Sequence, residues 1–407
     1  MTRNANLEIV SGFRFAGVSC GLKPETAVYG DRTLDLAIIA SASPCQTAGV
    51  FTQNRFPAAP VLYDQLALQA NPDNIRAIVV NAGNANACTG QQGLADARQM
   101  AQLTEASLNL PAGSILVMST GVIGVPLPMQ KVKAGIGEAA RAIQNAESFG
   151  DEALGRAAQA IMTTDTKTKT ARRSLSTATL VGIAKGAAML HPNMATMLAC
   201  VVSDAAIEST ALQSILDRAV DRSFNAITVD GDQSTNDTLL VLANGLAGPV
   251  DKMAFEAVLT EVCQDLAQQM VRDAEGASKF VAVRVSGVET EAEARQVART
   301  IATSVLFKTA VYGGDANWGR VLMAAGNGGV SLRPEQVSLW FAGNGNRALQ
   351  VVCQGSPLPY DEAEAAAIFQ CSDLHVHLDL GLGSAEATVW TSDMTHDYVT
   401  LNAHYRT

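Results

Sequence analysis

Strand-like segments come in runs along this chain, and helical segments lie between the runs. Apolar residues predict strands at 34–40, 49–51, 75–81, 114–118, 180–185, 196–203, 280–286 and 374–380. Helical periodicity predicts helices at 93–110, 128–146, 151–161, 209–223, 252–273 and 289–304. A doubly wound parallel sheet would place a helix after each strand, so this order favours an α+β fold built from packed layers. The length of 407 residues exceeds what one compact core usually holds and predicts two lobes or layers.

Composition narrows the function classes. A net charge of −10 and an isoelectric point near 5.0 argue against nucleic acid or an anionic membrane as the main partner. We found neither the apolar core of a secretory signal near the start nor an apolar run of bilayer length. The seven cysteines are odd in number and contain no CxxC pair, which argues against a disulfide or zinc framework. We therefore expect a cytoplasmic enzyme.

Common cofactor and nucleophile motifs do not occur in the sequence. There is no Walker loop, no simple dinucleotide fingerprint and no G-x-S-x-G serine elbow. His375 and His377 could be two metal ligands on one strand face. We find no third ligand for them, so a solvated face of a half-buried strand is favoured and no metal is predicted.

The segment KGAAMLHPNMATMLACVVSD at 185–204 carries the most suggestive chemistry. A Pro-containing turn leads to Ala195 and to Thr196 at the head of an apolar strand. The Thr196 hydroxyl could attack the carbonyl of Ala195, and water would complete the cleavage. A new N-terminal threonine holds its nucleophile and a base on one residue, because an α-amine titrates near pH 8. Taken alone, a threonine at a strand start equally reflects β-propensity.

The whole chain resembles the ornithine acetyltransferase family, the glutamate N-acetyltransferases of the cyclic arginine pathway. The resemblance rests on motifs that follow one another in family order: DLAIIASASPCQTAGVFTQNRFPAAPV (35–61), NAGNANACTG (81–90), STGVIG (119–124), MTTDT (162–166), KGAAMLHPNMATML (185–198), VDGDQSTNDT (229–238), DAEGASKF (273–280), KTAVYGGDANWGR (308–320) and DYVTLNAHYRT (397–407).

This resemblance implies a layered αββα sandwich of the self-cleaving, DmpA-like type with a smaller C-terminal lobe. It implies cleavage between Ala195 and Thr196 into an α chain (1–195) and a β chain (196–407), which stay together as an α2β2 heterotetramer. It also implies ping-pong transfer of acetyl from N-acetylornithine to glutamate through acetyl-Thr196, without cofactor or metal. Some family members also accept acetyl-CoA, and the motifs do not separate the two types.

The resemblance further implies roles for individual residues. Thr120 and Gly121 match the oxyanion hole, and Lys185 matches the active-site lysine. Glu275 matches the acidic residue for the distal amino group of the substrate, and Asn402 with Thr407 matches the pair that binds its α-carboxylate. The substrate-contacting threonine is best matched by Thr163, with Thr164 and Thr166 as alternatives.

Departures from the family pattern and two other functions stay open. Ala187 and Ala188 replace a common Ser-Gly pair, Gln233 replaces a frequent Thr, and Val305 replaces a usual Pro. An alanine at 188 could restrict the backbone next to the nucleophile and slow self-cleavage. The alternative enzyme is an amidohydrolase or aminopeptidase with the same nucleophile and water as acceptor. The alternative from another class is a non-catalytic binding protein that keeps the fold.

Overall fold

A computed structural model describes residues 8–23, 33–145, 148–191, 197–345 and 347–404. The helices are α1 Ala59–Ala70, α2 Gly90–Leu108, α3 Met129–Gln144, α4 Gly150–Ala160, α5 Ser209–Asp221, α6 Lys252–Arg272, α7 Glu291–Ala302, α8 Val305–Gly313, α9 Trp318–Gly326, α10 Glu362–Phe369 and α11 His396–His404. The strands are β1 Phe13–Val18, β2 Leu36–Phe51, β3 Ile75–Asn84, β4 Ile115–Val122, β5 Lys169–Leu175, β6 Ala178–Lys185, β7 Leu198–Ala206, β8 Thr238–Pro249, β9 Phe280–Val288, β10 Ser338–Gly343, β11 Leu349–Cys353, β12 Ser356–Pro357, β13 Asp373–Asp379 and β14 Ala385–Ser392.

The long strand β2 joins two halves of the first sheet. Its first half pairs antiparallel with β3, and its second half, from Gln46 to Phe51, pairs antiparallel with β8. The register shifts between Ala40 and Cys45, where small polar residues bridge the two halves. The prediction of two short strands here is therefore wrong, because the polar stretch between them stays extended. The strand order is β4-β3-β2-β8-β7-β6-β5, with β1 paired to β2.

The two halves of this sheet face each other, and helices cover both outer faces. In β3, Ile78 and Val80 belong to the apolar cluster between the halves, whereas Val79 packs with α2 and α3. In β8, Leu242 belongs to the same inner cluster, whereas Val241 packs with α5 and α6. Alternate residues of a strand thus fill different layers, as the pleat requires. The predicted αββα sandwich is confirmed.

A second sheet builds the smaller C-terminal lobe. Its strand order is β12-β11-β10-β13-β9-β14, and helices α7 to α9 pack with one of its faces. The predicted alternation in β13 is confirmed: Val376 and Leu378 are fully buried, and His375 on the other face is exposed. His377 lies 2.9 Å from Ser286 Oγ and stacks on Trp340.

Within the described ranges, no helix is both long and apolar enough to cross a bilayer. The same part of the chain contains no group of three His, Cys, Asp or Glu side chains arranged to hold a metal ion.

Candidate active site

One pocket brings together the segments that carry the matched motifs. It lies at the ends of β4 and β6, and the loops after α4 and α6 and the helix α11 complete its walls. The pocket is partly open to solvent. Six of the predicted site residues line this pocket: Thr120, Gly121, Thr163, Lys185, Glu275 and Asn402.

The other three predicted residues, Ala195, Thr196 and Thr407, lie outside the described residues. The described chain resumes at Met197, whose N–H donates to a carboxylate oxygen of the buried Asp237 over 2.9 Å. The next residue, Leu198, pairs with Lys185 across β7 and β6. The backbone nitrogen of Met197, which forms the peptide bond to residue 196, is therefore held in place next to the end of β6 at Lys185.

Lys185 and Thr120 form a buried pair on one wall of the pocket. The Lys185 ammonium donates to Thr120 Oγ1 over 3.3 Å, and the two residues are 3% and 5% exposed. An ammonium has only donors, so the Thr120 hydroxyl accepts this bond and keeps its own proton for another acceptor. This arrangement suits a hydroxyl that stabilises a developing oxyanion.

Several charged side chains act on the Lys185 ammonium. Burial lowers the pKa of Lys185, and the nearby carboxylate of Asp165 opposes this effect. Lys169 lowers the pKa further, while Glu275 and Asp237 raise it. Whether Lys185 is a cation therefore depends on how many of these carboxylates are ionised.

Gly121 has a backbone that requires glycine. Its φ is +134°, and a Cβ at this position would lie 2.2 Å from the carbonyl carbon of Gly83 on the neighbouring strand. Glycine therefore permits the close approach of β3 and β4 at the pocket. The match of Gly121 to the oxyanion hole has a structural basis in this approach.

Polar side chains buried behind Thr120 hold its loop in place. Asn236 donates to the carbonyl oxygens of Ala85 and Ser119 over 2.6 and 2.8 Å. The Ser119 hydroxyl donates to Asn81 Oδ1 over 2.7 Å. The Asn-rich motif at 81–90 thus supplies hydrogen bonds that fix the end of β4, and its first four residues belong to β3.

The three candidate threonines differ in position. Thr163 and Thr164 line the pocket, with Thr163 only 6% exposed. The hydroxyl of Thr166 instead donates to Asp273. This placement favours Thr163 or Thr164 for substrate contact.

Glu275 and Asn402 contact each other at the mouth of the pocket. Asn402 Nδ2 donates to Glu275 Oε2 over 2.8 Å, and the Glu275 N–H donates to the Ala187 carbonyl over 2.8 Å. The resemblance assigned these two side chains to opposite ends of the substrate. Their contact places them together instead, and their substrate roles stay predictions.

Asp230 holds the turn at Met189 and Leu190. This residue was not predicted as a site residue. Its carboxylate accepts the N–H of Leu190 over 3.0 Å and that of Met189, whose φ is +57°. The Tyr398 hydroxyl donates to the same carboxylate over 3.3 Å. Burial raises the pKa of Asp230. Asp230 thus stabilises a left-handed residue that most side chains avoid.

Sequence comparisons agree with the motif resemblance. The model of the ArgJ family matches residues 14–407. The arginine biosynthesis bifunctional protein ArgJ of Thermotoga neapolitana is 45% identical over 97% of this chain and 99% of its own length. The protein of that name from Symbiobacterium thermophilum is 46% identical over 98% of this chain and 97% of its own. The chain belongs to the ArgJ family.

One solved structure of an ornithine acetyltransferase, complexed with ornithine and from Mycobacterium tuberculosis, is 34% identical. It covers 47% of this chain and 96% of its own, with a TM-score of 0.38. The assignment to the family rests on the full-length sequence matches.

The pocket of this ArgJ-family chain contains further polar residues that we had not predicted. Asp230, Asp232 and Asn236 line it and lie in the motif at 229–238, and Tyr398 lines it from the C-terminal motif. Their presence in matched motifs was the available signal. Ala188, which departs from the family pattern, also lines the pocket. It is not among the described residues with positive φ, so its backbone does not require glycine.

Proposed function

We propose that this protein transfers acetyl from N-acetylornithine to glutamate through an acetyl-Thr196 intermediate. The observation that carries the proposal is the convergence of Lys185, Thr120 and Gly121 in one pocket next to the strand that follows residue 196. The full-length matches to arginine biosynthesis bifunctional proteins support it.

Self-cleavage is the first step of the proposal. The Thr196 hydroxyl attacks the carbonyl carbon of Ala195, and the peptide bond breaks as the acyl group moves from nitrogen to oxygen. Water then hydrolyses the ester, which leaves a carboxylate on Ala195 and a free α-amine on Thr196. The chains 1–195 and 196–407 remain associated, because β6 and β7 on either side of the cut are hydrogen-bonded neighbours.

Transfer follows through two acyl exchanges. The Thr196 α-amine takes the hydroxyl proton as Oγ attacks the acetyl carbonyl of N-acetylornithine. Ornithine leaves after its nitrogen receives that proton. The amine of glutamate then attacks the acetyl ester and loses a proton to the Thr196 amine. The bond from the acetyl carbon to Thr196 Oγ breaks, Oγ takes that proton back from the amine, and N-acetylglutamate departs. The Thr120 hydroxyl and the Gly121 backbone stabilise the oxyanion of each tetrahedral intermediate.

Substrate recognition uses charges of both signs. Lys185 and Thr163 hold polar groups near the acetyl end, and Glu275 binds the distal ammonium of ornithine. Asn402 and Thr407 bind the α-carboxylate, for which Asn402 exchanges its contact with Glu275. The reaction requires no metal or cofactor, since it exchanges two amides of similar energy through one ester. We also propose the α2β2 assembly, and acetyl-CoA as a second donor because the relatives are named bifunctional.

A denaturing gel gives the first test. We expect two bands of roughly half the full-length mass, and Thr196→Ala should give one full-length band and no transfer. A variant that is still cleaved and active would overturn the proposal. A single uncut wild-type band without activity would instead favour the binding protein.

A transfer assay separates the two enzyme hypotheses. Wild-type protein with N-acetylornithine and glutamate should form N-acetylglutamate and ornithine in equal amounts. Release of acetate without N-acetylglutamate would favour the amidohydrolase. Omitting N-acetylornithine and adding acetyl-CoA then measures the second donor.

A further inference from the structure

Lys169 lies buried between two carboxylates behind the pocket. Its ammonium is 2.6 Å from Asp165 Oδ1 and 2.6 Å from Asp273 Oδ2, and the three side chains are only 1%, 0% and 4% exposed. Surface ion pairs contribute little to stability. Removing one partner of a buried ion pair is costly, because it leaves a buried charge without compensation. We call Asp165, Lys169 and Asp273 the ionic brace.

Asp165 fastens two pocket walls to each other. Its Oδ2 accepts the N–H of Thr163 over 3.0 Å, and its Oδ1 accepts the N–H of Gly186 over 2.6 Å. Thr163 belongs to one wall, and Gly186 directly follows Lys185 on the other. Both donors are backbone groups, so the contact sets the positions of the chain segments themselves.

Asp273 ties the third wall to the brace. Its carboxylate accepts the N–H groups of Thr166 and Lys167 over 2.9 and 3.1 Å. Glu275 follows Asp273 by two residues, and its own N–H donates to Ala187. The brace therefore links segments from both sides of the proposed cut.

The brace also sets the charge next to Lys185. Burial would raise the pKa of Asp165, but Lys169 and Lys185 outweigh it and hold that pKa well below its usual range. Asp165 is thus an anion at neutral pH. The other charged groups acting on Lys185 are Lys169, Glu275 and Asp237.

We propose that Asp165, Lys169 and Asp273 are positioning residues for acetyl transfer: they align the walls that carry Thr163, Lys185 and Glu275. The negative charge of Asp165 also favours the cationic form of Lys185. The proposal rests on the proposed function. A cationic Lys185 can only donate to Thr120 Oγ1, whereas a neutral amine could also accept from it, and the positive charge attracts substrate oxygens. Activity therefore falls as Lys185 loses its proton, on the alkaline side of the pH profile.

The first test is Asp165→Asn, with kcat/KM for N-acetylornithine measured against pH. Removing the negative charge that most raises the pKa of Lys185 makes its cation less stable. We expect the alkaline limb to move to lower pH by about one unit. Asp265→Asn is the matched control, because it also removes a carboxylate from an ion pair, but this pair with Arg173 is partly exposed and lies outside the ionic brace. Its pH profile should equal that of the wild type.

The second test is the double variant Lys169→Met with Asp273→Asn. It removes one positive and one negative charge, so the net buried charge is unchanged, and Asp165 loses Lys169 but keeps the Lys185 cation. Lys185 then keeps Asp165 and loses the repulsion from Lys169. We expect the alkaline limb to move to higher pH, opposite to the shift in Asp165→Asn.

The outcomes separate this proposal from the proposed function. Opposite shifts in the two variants support the brace as a positioning device. If the alkaline limbs of both variants stay at the wild-type pH or move in the same direction, the proposal for the brace is wrong. The proposed function is unaffected in that case, because the wild type is active. If Asp165→Asn does not fold, the sign of the shift in the double variant decides alone. A wild-type protein that transfers no acetyl overturns both.

Discussion

Two buried lysines, one in the pocket and one in the C-terminal lobe, each donate to a threonine hydroxyl. Lys185 donates to Thr120 over 3.3 Å, and Lys308 of α8 donates to Thr391 of β14 over 2.8 Å. Lys308 also donates to the backbone and hydroxyl oxygens of Ser392. The local geometry is similar, but the surrounding charges differ.

The two lysines differ in the groups that lie near their ammonium groups. Next to Lys185, the ionic brace places carboxylates inside the protein, whereas the hydrogen-bond acceptors of Lys308 are neutral oxygens. Burial lowers the pKa of Lys308 to about 7, although the more distant Asp393 and Asp230 oppose it. A buried lysine can thus join α8 to the end of β14 without a fixed charge. The pocket, by contrast, keeps charge where the proposed reaction needs it.

The largest expected effect is on stability, from Lys169→Met. The variant leaves Asp165 and Asp273 buried without their shared cation. We expect the free energy of unfolding to fall by about 3–5 kcal/mol. Urea unfolding measures this, with Lys308→Met as the comparison, where only neutral acceptors lose a partner. Equal losses in the two variants would show that the brace is no more ionic in effect than the lobe contact.

The next effect is on activity, from Thr120→Val, which removes the hydroxyl and keeps the side-chain shape. Loss of one oxyanion donor lowers kcat by about 100-fold or more. Steady-state kinetics should show this fall in kcat with little change in KM. A kcat within a few-fold of the wild type would exclude Thr120 from the oxyanion hole.

Much of the sandwich could be predicted from the sequence, because its strands and helices have strong apolar patterns. Helix α6 was predicted at 252–273 and lies at Lys252–Arg272, with eight apolar residues buried on it. Helices α1 and α8 to α11 were not predicted. In α1 the buried Asp64 replaces an apolar residue and accepts the N–H of Val117, so the periodicity is broken. Helix α11 has no buried residue among those described and therefore no apolar stripe.

Six site residues could be placed in one pocket from motif matches, and the brace could not. Asp165 and Asp273 lay within matched motifs, but nothing in their spacing shows that Lys169 joins them across 104 residues. Such contacts depend on how β5 packs against α6. No local pattern in the sequence shows this packing. The same holds for Asp230 and Tyr398, which are 168 residues apart.

Lys308 predicts a pH dependence of stability. Its pKa is lowered on folding, so the unfolded chain binds more protons between pH 7 and the usual lysine range near 10.4. The contribution of this residue to the free energy of unfolding therefore rises with pH across that window, by at most about 1.4 kcal/mol per pH unit. Below the window the contribution is at its lowest. Urea midpoints at pH 6, 7.5 and 9 test this against Lys308→Met. A wild-type-to-variant difference that is flat with pH would show that Lys308 stays charged.

The smallest effect, and the sharpest contrast with Thr120, is expected from Thr391→Val. Thr391 accepts from Lys308 and donates to the Ala302 carbonyl over 3.2 Å, so the variant loses both bonds in a buried site. We expect a loss of about 1–2 kcal/mol in unfolding free energy and a kcat equal to that of the wild type. Thr120→Val should show the reverse, a large loss of kcat with a small loss of stability. If Thr391→Val lowered kcat as strongly as Thr120→Val, the two lysine–threonine pairs would not differ in function, and the contrast between pocket and lobe would fail.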